Sequence, residues 1–130
     1  MLRFFDCNAA VGKWKHPTYA AYETAGQLEE ILDYTDVDKA VVYHAWSQEM
    51  EACIGNTALM EEVAGHPRLL PSWVIYTHYT GEMPAPDLLL DEMLRRGVRV
   101  ARLLPGLKAY RCSMAEWSAG PLLRALADRH

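Results

Sequence analysis

The run Lys39-Ala40-Val41-Val42-Tyr43-His44 constrains the fold more than any other stretch of this chain. It is compact and β-branched, and it lacks the polar–apolar alternation of a strand with one wet face. A strand of this kind is covered on both sides, as in parallel sheets. Leu2-Arg3-Phe4-Phe5-Asp6, Leu69-Leu70-Pro71-Ser72-Trp73-Val74-Ile75-Tyr76 and Val98-Arg99-Val100-Ala101-Arg102-Leu103-Leu104 read as three further strands. Pro71 belongs near the start of its strand, where a missing N–H is tolerable.

Helical segments separate these runs. Thr24-Ala25-Gly26-Gln27 has capping-box form, and Leu28, Ile31 and Leu32 follow at helical spacing to about Tyr34-Thr35. A second helix is expected from Gln48 to Ala64, weakened in its first half by Gly55 and stopped by His66-Pro67. A third runs from Asp87 to Arg96 and ends on Gly97. The last lies around Gly120 to Asp128, with Pro121 in its first turn. Four strand–helix units in alternation imply parallel strands joined by right-handed crossovers. The first junction carries no GxGxxG, so a dinucleotide fold has no support. Long loops after strands one, three and four favour a barrel, where such loops build the site. The expected fold is therefore α/β: four parallel β-α units forming the N-terminal half of a (β/α)8 TIM barrel. It is a single partial domain over residues 1–130 that stops before the fifth strand.

Composition narrows the function. An apolar share of 51% supplies a core, and 23% charged residues suit a soluble domain. No stretch nears the roughly 20 apolar residues of a membrane helix, and the short apolar start is no secretion signal. A cytoplasmic location without membrane partners is the expectation. A net charge of -4 and the lack of a basic block speak against nucleic acid. Cys7, Cys53 and Cys112 are odd in number and widely spaced, which argues for reduced, buried or half-buried thiols and against disulfides or a zinc ribbon.

Several segments together carry a family resemblance. They are Phe4-Phe5-Asp6-Cys7-Asn8-Ala9-Ala10-Val11-Gly12, Val37 to His44, Asn56 with His66-Pro67-Arg68-Leu69-Leu70-Pro71-Ser72-Trp73-Val74, and Gly97 to Pro105. In these the chain resembles the amidohydrolase-related, metal-dependent TIM-barrel hydrolases (amidohydrolase family 2). The resemblance implies a hydrolase, or in one branch a decarboxylase, acting on small organic acids, lactones or amides. It also implies a divalent metal such as zinc at the C-terminal mouth of the barrel. The family's first strand ends in His-x-His, and here Asn8 and Ala10 stand at those positions. Alanine ligates nothing and an amide oxygen is a poor zinc ligand. Cys7 would reach the same side only through a bulge. No metal is expected in this chain.

Five residues are candidates for contacting a small-molecule substrate: Asn8, His44, His78, Arg102 and Tyr110. His44 closes the second strand and is either a substrate-facing imidazole or a strand-end side chain bonded to a loop. His78, between Tyr76 and Tyr79, sits where a mouth of aromatics binds planar groups or packs a loop. Arg102 interrupts an apolar strand, and a buried guanidinium demands an acidic partner or an anionic ligand. It is a clamp for a substrate carboxylate or an internal ion pair, with Asp6 as one partner. Lys108, Tyr110 and Arg111 follow in the next loop and add to an anion site or only to solubility. Asp6, at the end of the first strand, is read as making a structural hydrogen bond to the loop that follows. The reading is of an amidohydrolase-related hydrolase, a fragment whose parent hydrolyses a small carboxylated substrate. The alternative is an inactive half barrel or binding module, self-associating through the open edges of its first and fourth strands.

Overall fold

A computed structural model describes residues 3–16, 22–106 and 112–129 of the chain. Within them lie strands β1 (Phe4–Val11), β2 (Val37–His44), β3 (Leu69–Val74) and β4 (Val100–Arg102). The helices are α1 (Ala25–Tyr34), α2 (Trp46–Glu49), α3 (Ala52–Glu62), α4 (Pro86–Arg95) and α5 (Glu116–Ala127), with a 3-10 turn at His78–Thr80. All pairings are parallel and the sheet order is β1-β2-β3-β4. A sequential order with right-handed crossovers puts successive helices on one face. The four strands lie side by side in chain order, with no reversal among them.

The helix-covered face holds the core. Ala9, Val11, Ala40, Val42, Leu69 and Trp73 meet Leu28 and Leu32 of α1, Leu59 of α3, and Leu89, Leu90 and Met93 of α4. Thr24 and Gln27 form the expected capping box at the start of α1. Across the other face, Arg102 of β4 donates to Asn8 of β1 at 2.6 Å. Neighbouring strands sit about 4.8 Å apart, so three intervals would hold these edges about 14 Å apart in a flat sheet. Strand side chains stand roughly perpendicular to their sheet. Their meeting marks this face as the concave one.

Boundaries differ from the sequence reading at β1, at the second helix and at α5, while β3 ends at Val74 and β4 covers only Val100–Arg102, both shorter than read. Strand β1 runs on to Val11 and takes up a register shift between Asp6 and Ala9 against β2. The expected second helix is two: Glu51 breaks it and caps α3, its carboxylate accepting from the N–H groups of Cys53 and Ile54 at 3.0 Å each. Gly55 is no mere weak point, since a Cβ there would lie 2.1 Å from the Ser47 backbone nitrogen. It lets α2 and α3 pack backbone to backbone. Helix α5 starts at Glu116, so Pro121 falls inside it rather than in its first turn. Proline has no N–H to give the carbonyl four residues earlier, here Trp117. The Tyr79 hydroxyl donates to that carbonyl instead.

Two stability effects follow. Gly55→Ala is expected to cost about 3 kcal/mol, the upper range for forcing extra volume into a packed site, read from urea unfolding. Tyr79→Phe is expected to cost about 1 kcal/mol, the usual worth of one hydrogen bond. In a Pro121→Ala background, where the helix N–H returns to Trp117, the same change should cost almost nothing.

Candidate functional site

The register shift in β1 builds the site. The extra residue at Cys7-Asn8 is stabilised by Asp6, whose carboxylate accepts from the Asn8 N–H at 2.8 Å. Asp6 thus has the structural role expected of it, although its partner lies in the bulge rather than in the loop beyond. The bulge turns two acceptors toward β4. Arg102 donates from one terminal nitrogen to Asn8 Oδ1 at 2.6 Å and from the other to the Cys7 carbonyl at 3.3 Å. Between the two edges its guanidinium lies over the ring of Tyr43, 4.5 Å from the centroid. A cation over an aromatic face gains about 0.5–2 kcal/mol, more when desolvated.

The expected ion pair with Asp6 does not form. Both Arg102 partners are neutral, and among the described residues no carboxylate pairs with it. Its Nε–H is enclosed and has no hydrogen-bond partner among them. An enclosed donor without a partner costs roughly 1–3 kcal/mol. Burial pushes the Tyr43 phenol above its ordinary pKa, while the Arg102 charge and a hydrogen bond with Gln48 pull it down. Tyr43 therefore stays a neutral ring under the cation. The site is a positive charge framed by dipoles and a π face.

The other candidates sit elsewhere. His44 is 5% exposed and packs against Gly12, where a Cβ would come within 2.5 Å of the imidazole at a φ of +96°. Its Nδ1 accepts from the Trp46 N–H at 3.2 Å, and its ring meets the Trp46 indole edge-on at 4.9 Å. This is the strand-end histidine bonded to its following turn. His78 stacks on Tyr79, with centroids 5.0 Å apart. Neither imidazole has a hydrogen bond or ring contact with the Arg102–Asn8 pair among the described residues. Tyr110, Lys108 and Arg111 lie outside the described residues. Cys7 is exposed, against the expectation of a buried or half-buried thiol. Cys53 is half-buried, and burial with the nearby Glu51 charge pushes its thiol up to about 11.

The divalent metal implied by the resemblance does not fit these residues. Asn8 Oδ1 is already held by a guanidinium, whose charge would repel a dication. The described residues contain no cluster of three or more His, Cys, Asp or Glu side chains able to hold an ion. Asn56, part of the same resemblance, is structural. The β2–β3 ladder stops at Val42 and Pro71, and the Asn56 amide takes over. It donates to the Val74 carbonyl at 2.8 Å and accepts from the Val74 N–H at 3.0 Å. Tyr43 and the Cys7 carbonyl were missed as site members. The even spacing of Val41 and Tyr43 could have placed Tyr43 on the Arg102 face, but nothing in the sequence marks the bulge.

Comparison of the chain with models of known families, with curated proteins and with solved structures yields no match. Among the described residues no helix is long and apolar enough to cross a membrane.

Burial holds the His44 pKa below its ordinary 6.5, with Glu62 pulling weakly the other way. The folded state therefore binds its proton less readily than the unfolded chain. That contribution is full above 6.5 and is lost as the pH falls below it. Urea midpoints should drop over this range in the wild type, and the drop should be shallower in His44→Gln.

Proposed function

We propose that the concave face binds the carboxylate of a small organic molecule through Arg102, within one half of a (β/α)8 barrel of the amidohydrolase-related kind. The carrying observation is the guanidinium itself: enclosed at Nε, over an aromatic ring, and bonded only to neutral oxygens. A carboxylate supplies the missing negative charge and two acceptor oxygens, and arginine's planar fork suits both. Asn8 and the Cys7 carbonyl hold that fork in place beforehand, which reduces the ordering cost of binding. The sequential parallel sheet, curled toward Arg102, supports the barrel reading. Under this reading the parent enzyme hydrolyses a small carboxylated lactone or amide, with Arg102 orienting the substrate by its acid group.

A second reading is a binding or assembly module without catalysis. The misfit of a metal at Asn8 and Ala10 favours it, as does the lack, among the described residues, of any hydrogen bond or ring contact between an imidazole and Arg102. A screen of small carboxylated lactones and amides, with and without chelator, separates the two. Turnover that disappears in Arg102→Gln supports the hydrolase, and binding without turnover supports the module.

The shared premise has its own test. Binding of small monocarboxylates, followed by calorimetry, should weaken about tenfold or more in Arg102→Gln, the worth of a charged hydrogen bond. Asn8→Asp should abolish it while keeping Arg102, because the new carboxylate neutralises the guanidinium from within. Undiminished binding in Asn8→Asp would sink the carboxylate reading.

A further inference from the structure

We propose that the cleft between the loop after β1 and helix α2 is a separate binding site for a flat aromatic anion. The cleft encloses about 450 Å³ and is lined by Lys13, Trp14, Lys15, Trp46, Glu49 and Met50. That volume lies in the usual small-molecule range of roughly 300–1,000 Å³. It needs neither Arg102 nor the hydrolase reading.

Three observations point to the ligand class. The first is the rigidity of the aromatic walls. Trp14 meets Tyr43 edge-on at 6.4 Å, and Trp46 meets His44 edge-on at 4.9 Å. The Trp46 backbone is further fixed by its N–H donating to His44 Nδ1. Indoles held this way offer stacking surface at little entropic cost.

The second is the link between the walls. Glu49 on α2 accepts from the Lys15 backbone N–H, so loop and helix are joined across the cleft. That contact occupies the only carboxylate lining the cleft. The third is charge and exposure. Two ammonium groups face one carboxylate, and among the described residues neither lysine has an ion-pair partner. Trp46 and Met50 are 37% and 60% exposed. Adjacent apolar side chains left to water, next to unpaired cations, suit a ligand that is apolar across its faces and negative at its edge. The Met50 thioether adds a soft contact to an aromatic ring.

The probe is 2-naphthoate, titrated into the whole chain while the indole N–H signals are followed by NMR. The Trp14 and Trp46 signals, assigned with Trp14→Phe and Trp46→Phe, should shift and saturate, while those of Trp73 and Trp117 stay in place. Lys13→Gln combined with Lys15→Gln should weaken binding about fivefold, as expected for solvent-exposed charges. Trp46→Ala should weaken it about tenfold through lost stacking. The lysine pair lies on the surface, so it keeps the proposal testable if Trp46→Ala unfolds the chain. Arg95→Gln combined with Arg124→Gln, a charge change of equal size on α4 and α5, should leave affinity unchanged. Replacing naphthoate by 2-naphthyl phosphate distinguishes a carboxylate ligand from a phosphoester by which of the two binds more tightly. Equal affinity for neutral 2-naphthamide, or for non-aromatic cyclohexanecarboxylate, would overturn the proposal. So would shifts confined to Trp73 and Trp117.

Discussion

The contact on which the concave face depends is the reach of Arg102 from one edge strand to the other. It passes over Tyr43 of β2 and ends on Asn8 and the Cys7 carbonyl of β1. Hydrogen bonds of the sheet join neighbours only, whereas this side chain joins first strand to last. It works because β1 carries an extra residue, held by Asp6, that turns two acceptors inward. The curl of the sheet, the enclosed Nε–H of Arg102 and the bulge are thus one structural fact seen from three residues.

That fact has an electrostatic cost. Arg102 is half-buried, with only its Nε–H enclosed, and dipoles can orient its guanidinium but cannot cancel its charge. Asn8 stands where an aspartate would have closed the account inside the fold. An amide at this position leaves the net positive charge on the concave face, facing whatever anion reaches it. The proposed carboxylate site rests on this choice of Asn over Asp, more than on the arginine alone.

Much of the architecture was legible in the sequence because it rests on periodicity. The unbroken apolar run of β2, the capping box of α1 and the apolar spacing in α4 each encode their element locally. Where the reading slipped, the cause was a side chain serving a backbone group, near in sequence at Glu51 and distant at Tyr79. Glu51 caps α3 with its own carboxylate, which a Gln48–Ala64 helical pattern hides. Pro121 is admitted inside α5 because Tyr79, far upstream, serves the carbonyl it leaves vacant. Arg102 was legible as an anomaly, a charge in an apolar strand. Its partner was not, since Asp6 was the nearest charge by strand position and the bulge that offers Asn8 leaves no mark in composition. His44, a candidate for its residue type, accepts from a backbone N–H just past its strand end, and Asn56, part of the family resemblance, bonds the backbone of Val74.

Tyr43 and His44 are consecutive residues of one strand, and each braces a different indole of the cleft beside α2. Because successive side chains leave a strand in opposite directions, a single stretch of backbone serves as a common mount for two walls. The hydrogen bond from the Lys15 N–H to Glu49 ties loop to helix on the far side, so the two walls are linked twice, once through the strand and once through a single carboxylate.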